Sequence, residues 1–196
     1  MTSPSDTAPA IIVSGLPRSG TSLAMMMLEA AGIPVFQDGQ RTADDDNPKG
    51  YYEHDRVKVL GKEKDTAWLH ESRGQAIKII SFLLREVPED LDCRIVFMHR
   101  RIEEVLASQA KMLERRGEAS KVNDAQMTAV YRKHLETVQK LIESRPTMQC
   151  LELQYHEVVA NPAPEAARIA EFLELPEGST EKMAQRVDPD LYRNRK

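Results

Sequence analysis

The stretch GLPRSGTS, residues 15–22, gathers groups that can grip an anion. Gly15 and Gly20 have the spacing of the phosphate-binding pattern G-x-x-x-x-G-K-[ST], yet Thr21 occupies the lysine position and the cation is Arg18, inside the loop. A glycine-rich turn between a strand and a helix aims successive backbone N–H groups into one concavity. The helix start adds unpaired donors and the positive end of its dipole. Ser19, Thr21 and Ser22 bring hydroxyls to the same place, and Pro17 stiffens the entry. Enzymes of ATP and GTP use the missing lysine on the β- and γ-phosphates, and hold magnesium with the next Ser/Thr and a carboxylate from a second strand. The run Asp44, Asp45, Asp46 lies in turn-forming sequence rather than at the end of an apolar strand, so it reads as a solvated turn. The expectation is a phosphate cradle with no required metal.

Such a loop needs a strand before it and a helix after it. AIIVSG (10–15) is a short β-branched run ending in glycine, which predicts a buried strand. TSLAMMMLEAA (21–31) is apolar almost all round and stops at Gly32, which predicts a buried helix. IPVF (33–36) reads as a second strand, 37–50 as turns, and about 53–64 as a helix. AIKIISFLL (76–84) begins as a strand, and CRIVFMHR (93–100) is a stronger one that leads into a helix at about 101–116. Asn123 caps the clearest amphipathic helix, which Arg145-Pro146 ends; His134 on its apolar face reads as a packed residue. A strand at 148–155 and helices at about 163–173 and 179–186 complete the pattern. The order predicts one α/β domain over 1–196, a three-layer, P-loop-like fold with a mostly parallel sheet, and a flexible start at 1–9.

Composition narrows the partners. With 196 residues, 41% hydrophobic and 30% charged, the chain is long enough for a real core. A net charge of −4 gives no general attraction for nucleic acid or for an anionic membrane. Cys93 and Cys150 fit neither a disulfide framework nor a zinc spacing, and no signal peptide or membrane span is visible, so a cytoplasmic protein with reduced core thiols is expected. In an α/β sheet, Arg100 at the C-terminal edge of a strand faces the crevice where ligands bind, and a guanidinium offers a phosphate two parallel hydrogen bonds.

These pieces together resemble the sulfotransferases that use 3′-phosphoadenosine-5′-phosphosulfate (PAPS). PRSGTS is similar to their 5′-phosphosulfate loop, in which several bacterial and tyrosylprotein members carry arginine instead of lysine; the resemblance assigns Pro17, Arg18, Ser19, Gly20, Thr21 and Ser22 to the cofactor. A strand ending in arginine with a serine eight residues on holds the 3′-phosphate in the family, matching Arg100 and Ser108. LQYHEVVANPAPEAARIAEFL (153–173) looks like the segment whose tyrosine lies against the adenine, here Tyr155. NPKGYYE (47–53) resembles a stretch common in bacterial members. The family's downstream R-K-G triplet is absent, with Arg193, Arg195 and Lys196 as candidate replacements.

The resemblance implies sulfuryl transfer to a hydroxyl or amine of a small-molecule acceptor, with Arg18 stabilising the developing charge. Three groups compete as the base: Asp38, where arginine-type members place a glutamate; Glu53 of NPKGYYE; and His54, whose ordinary pKa is near neutral. Two alternatives stay open. One is a small-metabolite kinase, disfavoured by Thr21. The other is a non-catalytic nucleotide-binding module, because the chain is shorter than most members; a homodimer completing the pocket would restore the enzyme.

Overall fold

The computed structural model describes residues 7–37, 52–62, 65–115, 117–118 and 123–188. Asp38, the three-aspartate run, most of NPKGYYE and the tail residues Arg193, Arg195 and Lys196 lie outside the described residues.

Four strands, β1 (Ala10–Gly15), β2 (Ala76–Lys78), β3 (Cys93–His99) and β4 (Met148–Gln154), form a parallel sheet in the order β2-β1-β3-β4. β1 and β3 are central and covered on both faces, which is why their stretches AIIV and IVFM read as apolar runs. β4 is an edge, and it mixes buried, half-buried and exposed positions. The register pairs Val13 with Lys78 and Gly15 with Met98, so β1, β2 and β3 end close together at their carboxyl ends.

Alternation along the strands divides the core into two layers. Val13, Val96 and Met98 meet the helices α1 (Thr21–Ala30), α5 (Tyr155–Ala160), α6 (Pro162–Leu173) and α7 (Ser179–Gln185). Ile12, Ile77, Ile95 and Phe97 point the other way, onto α2 (Asp55–Val59), Trp68 and the helix α4 (Asp124–Ser144). The helix α3 (Ile102–Arg115) joins Leu16 and Tyr131 in a smaller cluster beside the loop. This is the expected three-layer α/β arrangement, helices on both sides of a parallel sheet.

α1 is buried on nearly every side, with Met25 and Met27 fully covered, and its methionines are core filler. It stops at Gly32, φ +89°, where the Gly32 and Ile33 amides donate back to the carbonyls of Glu29 and Leu28, the Schellman arrangement. Asn123 caps α4 through its side-chain oxygen, which accepts from the Ala125 amide at 2.8 Å. His134 is packed as expected: its ring stacks on Phe82 at 3.8 Å and its Nε2 lies 2.9 Å from Ser81 Oγ.

The short elements differ from expectation. IPVF contributes a single bridge, Val35 to Ala76, rather than a strand; Pro34 has no N–H with which to extend a ladder. AIKIISFLL is strand only through Lys78, because β1 turns away into the loop and leaves no partner; a 3-10 turn over Ser81–Glu86 follows. The helix expected over 53–64 shrinks to Asp55–Val59, and Tyr155 opens a short helix instead of closing β4. No described helix is long and apolar enough to cross a membrane.

Both cysteines are free thiols in the sheet. Burial, with the Asp92 charge second, pushes the Cys93 thiol up to about 12; burial and then Glu152 do the same for Cys150. Only roughly one thiol in ten thousand is then a thiolate at pH 8. The native protein is expected to resist iodoacetamide at that pH, and the urea-unfolded chain to take two labels. Rapid labelling of the native form would show that this part of the sheet opens.

Candidate functional site

The site begins with a constraint on the chain at Gly15, φ +147°. A Cβ there would collide with Ser19 Oγ and the Met98 carbonyl, so only glycine lets the turn fold back over β3. The Ser19 amide closes the turn on the Leu16 carbonyl at 3.1 Å. Arg18 is left-handed at φ +71°, an uncommon conformation for a residue with a side chain. Gly20, φ +106°, is the N-cap of α1 and offers it no side-chain cap. The first turn of α1 therefore presents its amides at the carboxyl edge of the sheet, with a buried Thr21 where a lysine would reach for a nucleoside triphosphate. Ser19 Oγ is buried without a hydrogen-bond partner among the described residues. An orphaned hydroxyl in an amide-lined turn fits an anionic ligand.

The cations around the loop are organised by α3. Arg18 Nε donates to Ser108 Oγ at 3.0 Å, joining groups ninety residues apart. Arg100 follows β3, and its Nη1 donates to the Arg18 carbonyl at 3.2 Å. Its Nε donates to Glu104 Oε2 at 2.9 Å, a pair with side chains only 8% and 2% exposed. The Arg100 Cζ stands 4.5 Å from the centre of the Tyr155 ring. That ring also backs the loop, since a Cβ on Gly20 would lie 2.9 Å from Tyr155 Cε2. Burial raises the Tyr155 pKa, against the opposing charge of Arg100, so the phenol stays protonated. Arg18, Gly20, Arg100, Ser108 and Tyr155, drawn from three separate stretches, thus meet in one cluster. Arg101 is on the exposed side of the junction.

Two charged residues at this edge are absent from the expected set. Glu104 is one, hidden in sequence among the charges of RRIEE. Lys78 is the other: it ends β2 beside β1, is buried, and points to the α1 side, opposite Ile77 and Ile79. The available signal was a lone lysine in the apolar run AIKIISFLL, where an unneeded charge would be costly. Its Nζ lies 3.5 Å from Glu53 Oε1. Glu53 is thereby brought to the edge near the loop, held next to Tyr52, whose hydroxyl donates to Glu29 of α1 at 2.6 Å.

His54 goes elsewhere. Its ring packs with Phe36, at 4.9 Å, and Trp68, at 5.4 Å, the three centroids forming a triangle, and its Nδ1 accepts from the Arg56 amide at 3.3 Å to cap α2. Trp68 is 5% exposed and belongs to the core. Among the described residues no group of three His, Cys, Asp or Glu forms a metal-binding cluster.

Comparison with known proteins bears on the same arrangement. The family model described as "Sulfotransferase family" matches residues 58–179, which includes Lys78, Arg100, Ser108 and Tyr155 and begins after the loop. No curated protein matches the chain by sequence. Among solved structures, a Mycobacterium avium sulfotransferase is similar at TM-score 0.56 and 16% identity, covering 91% of this chain and 67% of its own. The sulfotransferase domain of the Synechococcus PCC 7002 olefin synthase gives 0.54 and 15%, over 99% and 86%. A mouse sulfotransferase complexed with PAP gives 0.52 and 14%, over 93% and 66%. At these identities the likeness is one of fold.

Gly20 offers a local check. Gly20→Ala places a side chain at φ +106° and against Tyr155, and is expected to cost roughly 1–3 kcal/mol in urea unfolding. A loss below about 0.5 kcal/mol, ordinary for an exposed position, would mean that Tyr155 does not back the loop.

Proposed function

The chain belongs to the sulfotransferase family, and on that premise we propose that it moves a sulfuryl group from PAPS to a hydroxyl or amine of a small acceptor without needing a metal. The observation that carries this is the contact of Arg18 Nε with Ser108 Oγ at 3.0 Å, with Arg100 on the Arg18 carbonyl. It joins the 5′-phosphosulfate loop to the pair of residues suited to the 3′-phosphate. The mouse relative that binds PAP, the nucleotide product of such a transfer, supports the same co-substrate.

The roles follow the family resemblance, and the geometry supports them. Amides of the loop and of the first turn of α1 bind the 5′-phosphosulfate, with Ser19, Thr21 and Ser22 hydroxyls beside them. Arg100 and Ser108 take the 3′-phosphate, and the adenine lies beside Tyr155. Transfer is an in-line displacement at sulfur, with negative charge growing on the oxygen that leaves with the nucleotide. Arg18 meets that charge from inside the loop, and Lys78, at the end of the neighbouring strand, adds a second cation close to the acceptor side. Fixed cations and dipoles aimed at developing charge do this without reorganising. Pro17 limits how far the loop can move.

Glu53 is the base in this account. Its carboxylate accepts the acceptor's proton, and Lys78 holds it at the edge where the acceptor must arrive. Asp38, outside the described residues, is the rival.

Two measurements test the assignment. Arg18→Ala is expected to lower turnover of sulfate from PAPS by roughly 10²–10³-fold, as does loss of one preorganised anion donor; wild-type turnover would remove Arg18 from the chemistry. Glu53→Gln is expected to abolish the fall in rate on the acidic side of the pH–rate profile, where a base becomes protonated. If that limb persists in Glu53→Gln and disappears in Asp38→Asn, the base is Asp38.

A further inference from the structure

Glu104 is itself given no contact with substrate above, yet it is one of the most deeply buried charges among the described residues. We propose that Glu104 is a positioning residue that joins the two phosphate subsites: its carboxylate fixes the Arg100 guanidinium, and that guanidinium holds the Arg18 carbonyl and with it the left-handed turn of the loop. In calling the two ends phosphate subsites the proposal rests on the PAPS reading; the mechanical link between them does not.

The geometry supports each step. A guanidinium is a rigid planar fork, so fixing Nε on Glu104 at 2.9 Å also fixes the direction of Nη1, which reaches the Arg18 carbonyl at 3.2 Å. The Tyr155 ring below Cζ sets the plane of the fork. A lysine at position 100 would keep the charge and lose the direction. Both members of the pair are almost fully buried, and a buried charge whose partner is removed is left uncompensated, so the pair behaves as a unit.

The other end of the link is a strained residue. A non-glycine at φ +71° persists where its surroundings over-determine it. Arg18 is held twice, through its carbonyl by Arg100 and through its side chain by Ser108. Glu104 and Ser108 are four residues apart on α3 and so share one face of that helix. One face of α3 therefore sets both the backbone and the side chain of Arg18. The 5′ site is shaped by the residues that form the 3′ site, before any ligand arrives.

The link is tested without nucleotide, by hydrogen exchange on the full chain. In Glu104→Gln the amides of residue 16 and residues 18–22 are expected to exchange about tenfold faster than in the wild type, while those of β3 and α6 keep their rates. If the competent turn is then populated about one-tenth of the time, the Kd for adenosine 5′-monophosphate, which has no 3′-phosphate, rises about tenfold. A purely structural role for Glu104 would raise exchange along α3 and β3 and leave the affinity of the folded fraction for this probe unchanged. Should Glu104→Gln fail to fold, R100Q/E104Q removes both charges together and is expected to show the same acceleration in the loop. Wild-type exchange of these loop amides in either variant overturns the proposal. So does a variant that loses affinity for 3′,5′-bisphosphoadenosine only, with the loop unchanged. A wild-type protein that binds neither nucleotide refutes the PAPS reading instead, and the exchange result still decides the link.

Discussion

A buried parallel strand that feeds a buried helix has to reverse direction in very little chain. Here β1 ends at Gly15 and α1 starts at Thr21, leaving five residues for the turn. That brevity forces Gly15, Arg18 and Gly20 into positive φ and leaves the start of α1 without a side-chain cap. Everything else at the carboxyl edge is arranged around the consequence, a concave set of backbone donors that the fold cannot satisfy locally. Such a set of donors suits an anion.

The charges that serve this cradle are arginines held by geometry rather than a lysine held by proximity. A lysine in the loop would act as a strongly hydrated point charge on a flexible stem. Arg18 and Arg100 instead contribute planar forks whose direction is set by Ser108, Glu104 and Tyr155. Burying Glu104 is costly, and its pairing with Arg100 offsets that cost only because the geometry is good. The return is direction: α3, β3 and the loop become parts of one site. Lys78 and Glu53 form the second charged pair, on the β2 side.

Much of this was visible in the sequence, and the division is physical. Gly15, Gly20, Arg18 and the apolar runs around them are local signals, because turn chemistry and periodicity act within a few residues. Arg100 was legible from its place at the end of an apolar strand and Ser108 through the family resemblance, and their meeting with the loop follows once β1 and β3 are taken as neighbours. Lys78 and Glu104 were not legible. Each acts through a partner chosen by the fold, Glu53 for one and Arg100 for the other, and in sequence each is one charge among several or one interruption of a strand. His54, one of three candidate bases by its imidazole chemistry, has a ring packed with Phe36 and Trp68, a contact that only the fold creates. IPVF misled because a proline cannot extend the ladder that its apolar character suggested. Asp38 and the basic tail lie outside the described residues, so their roles stay as expectations.

The central claim is that the loop and the Arg100 junction form one metal-independent site for an adenosine bisphosphate. Titration calorimetry of the wild-type protein with 3′,5′-bisphosphoadenosine in EDTA tests it most directly. Saturable binding to one site per chain, at least tenfold tighter than for adenosine 5′-monophosphate by the worth of one charge-assisted phosphate contact, is the predicted result. Absence of binding, or binding that appears only when a divalent cation is added, would contradict it.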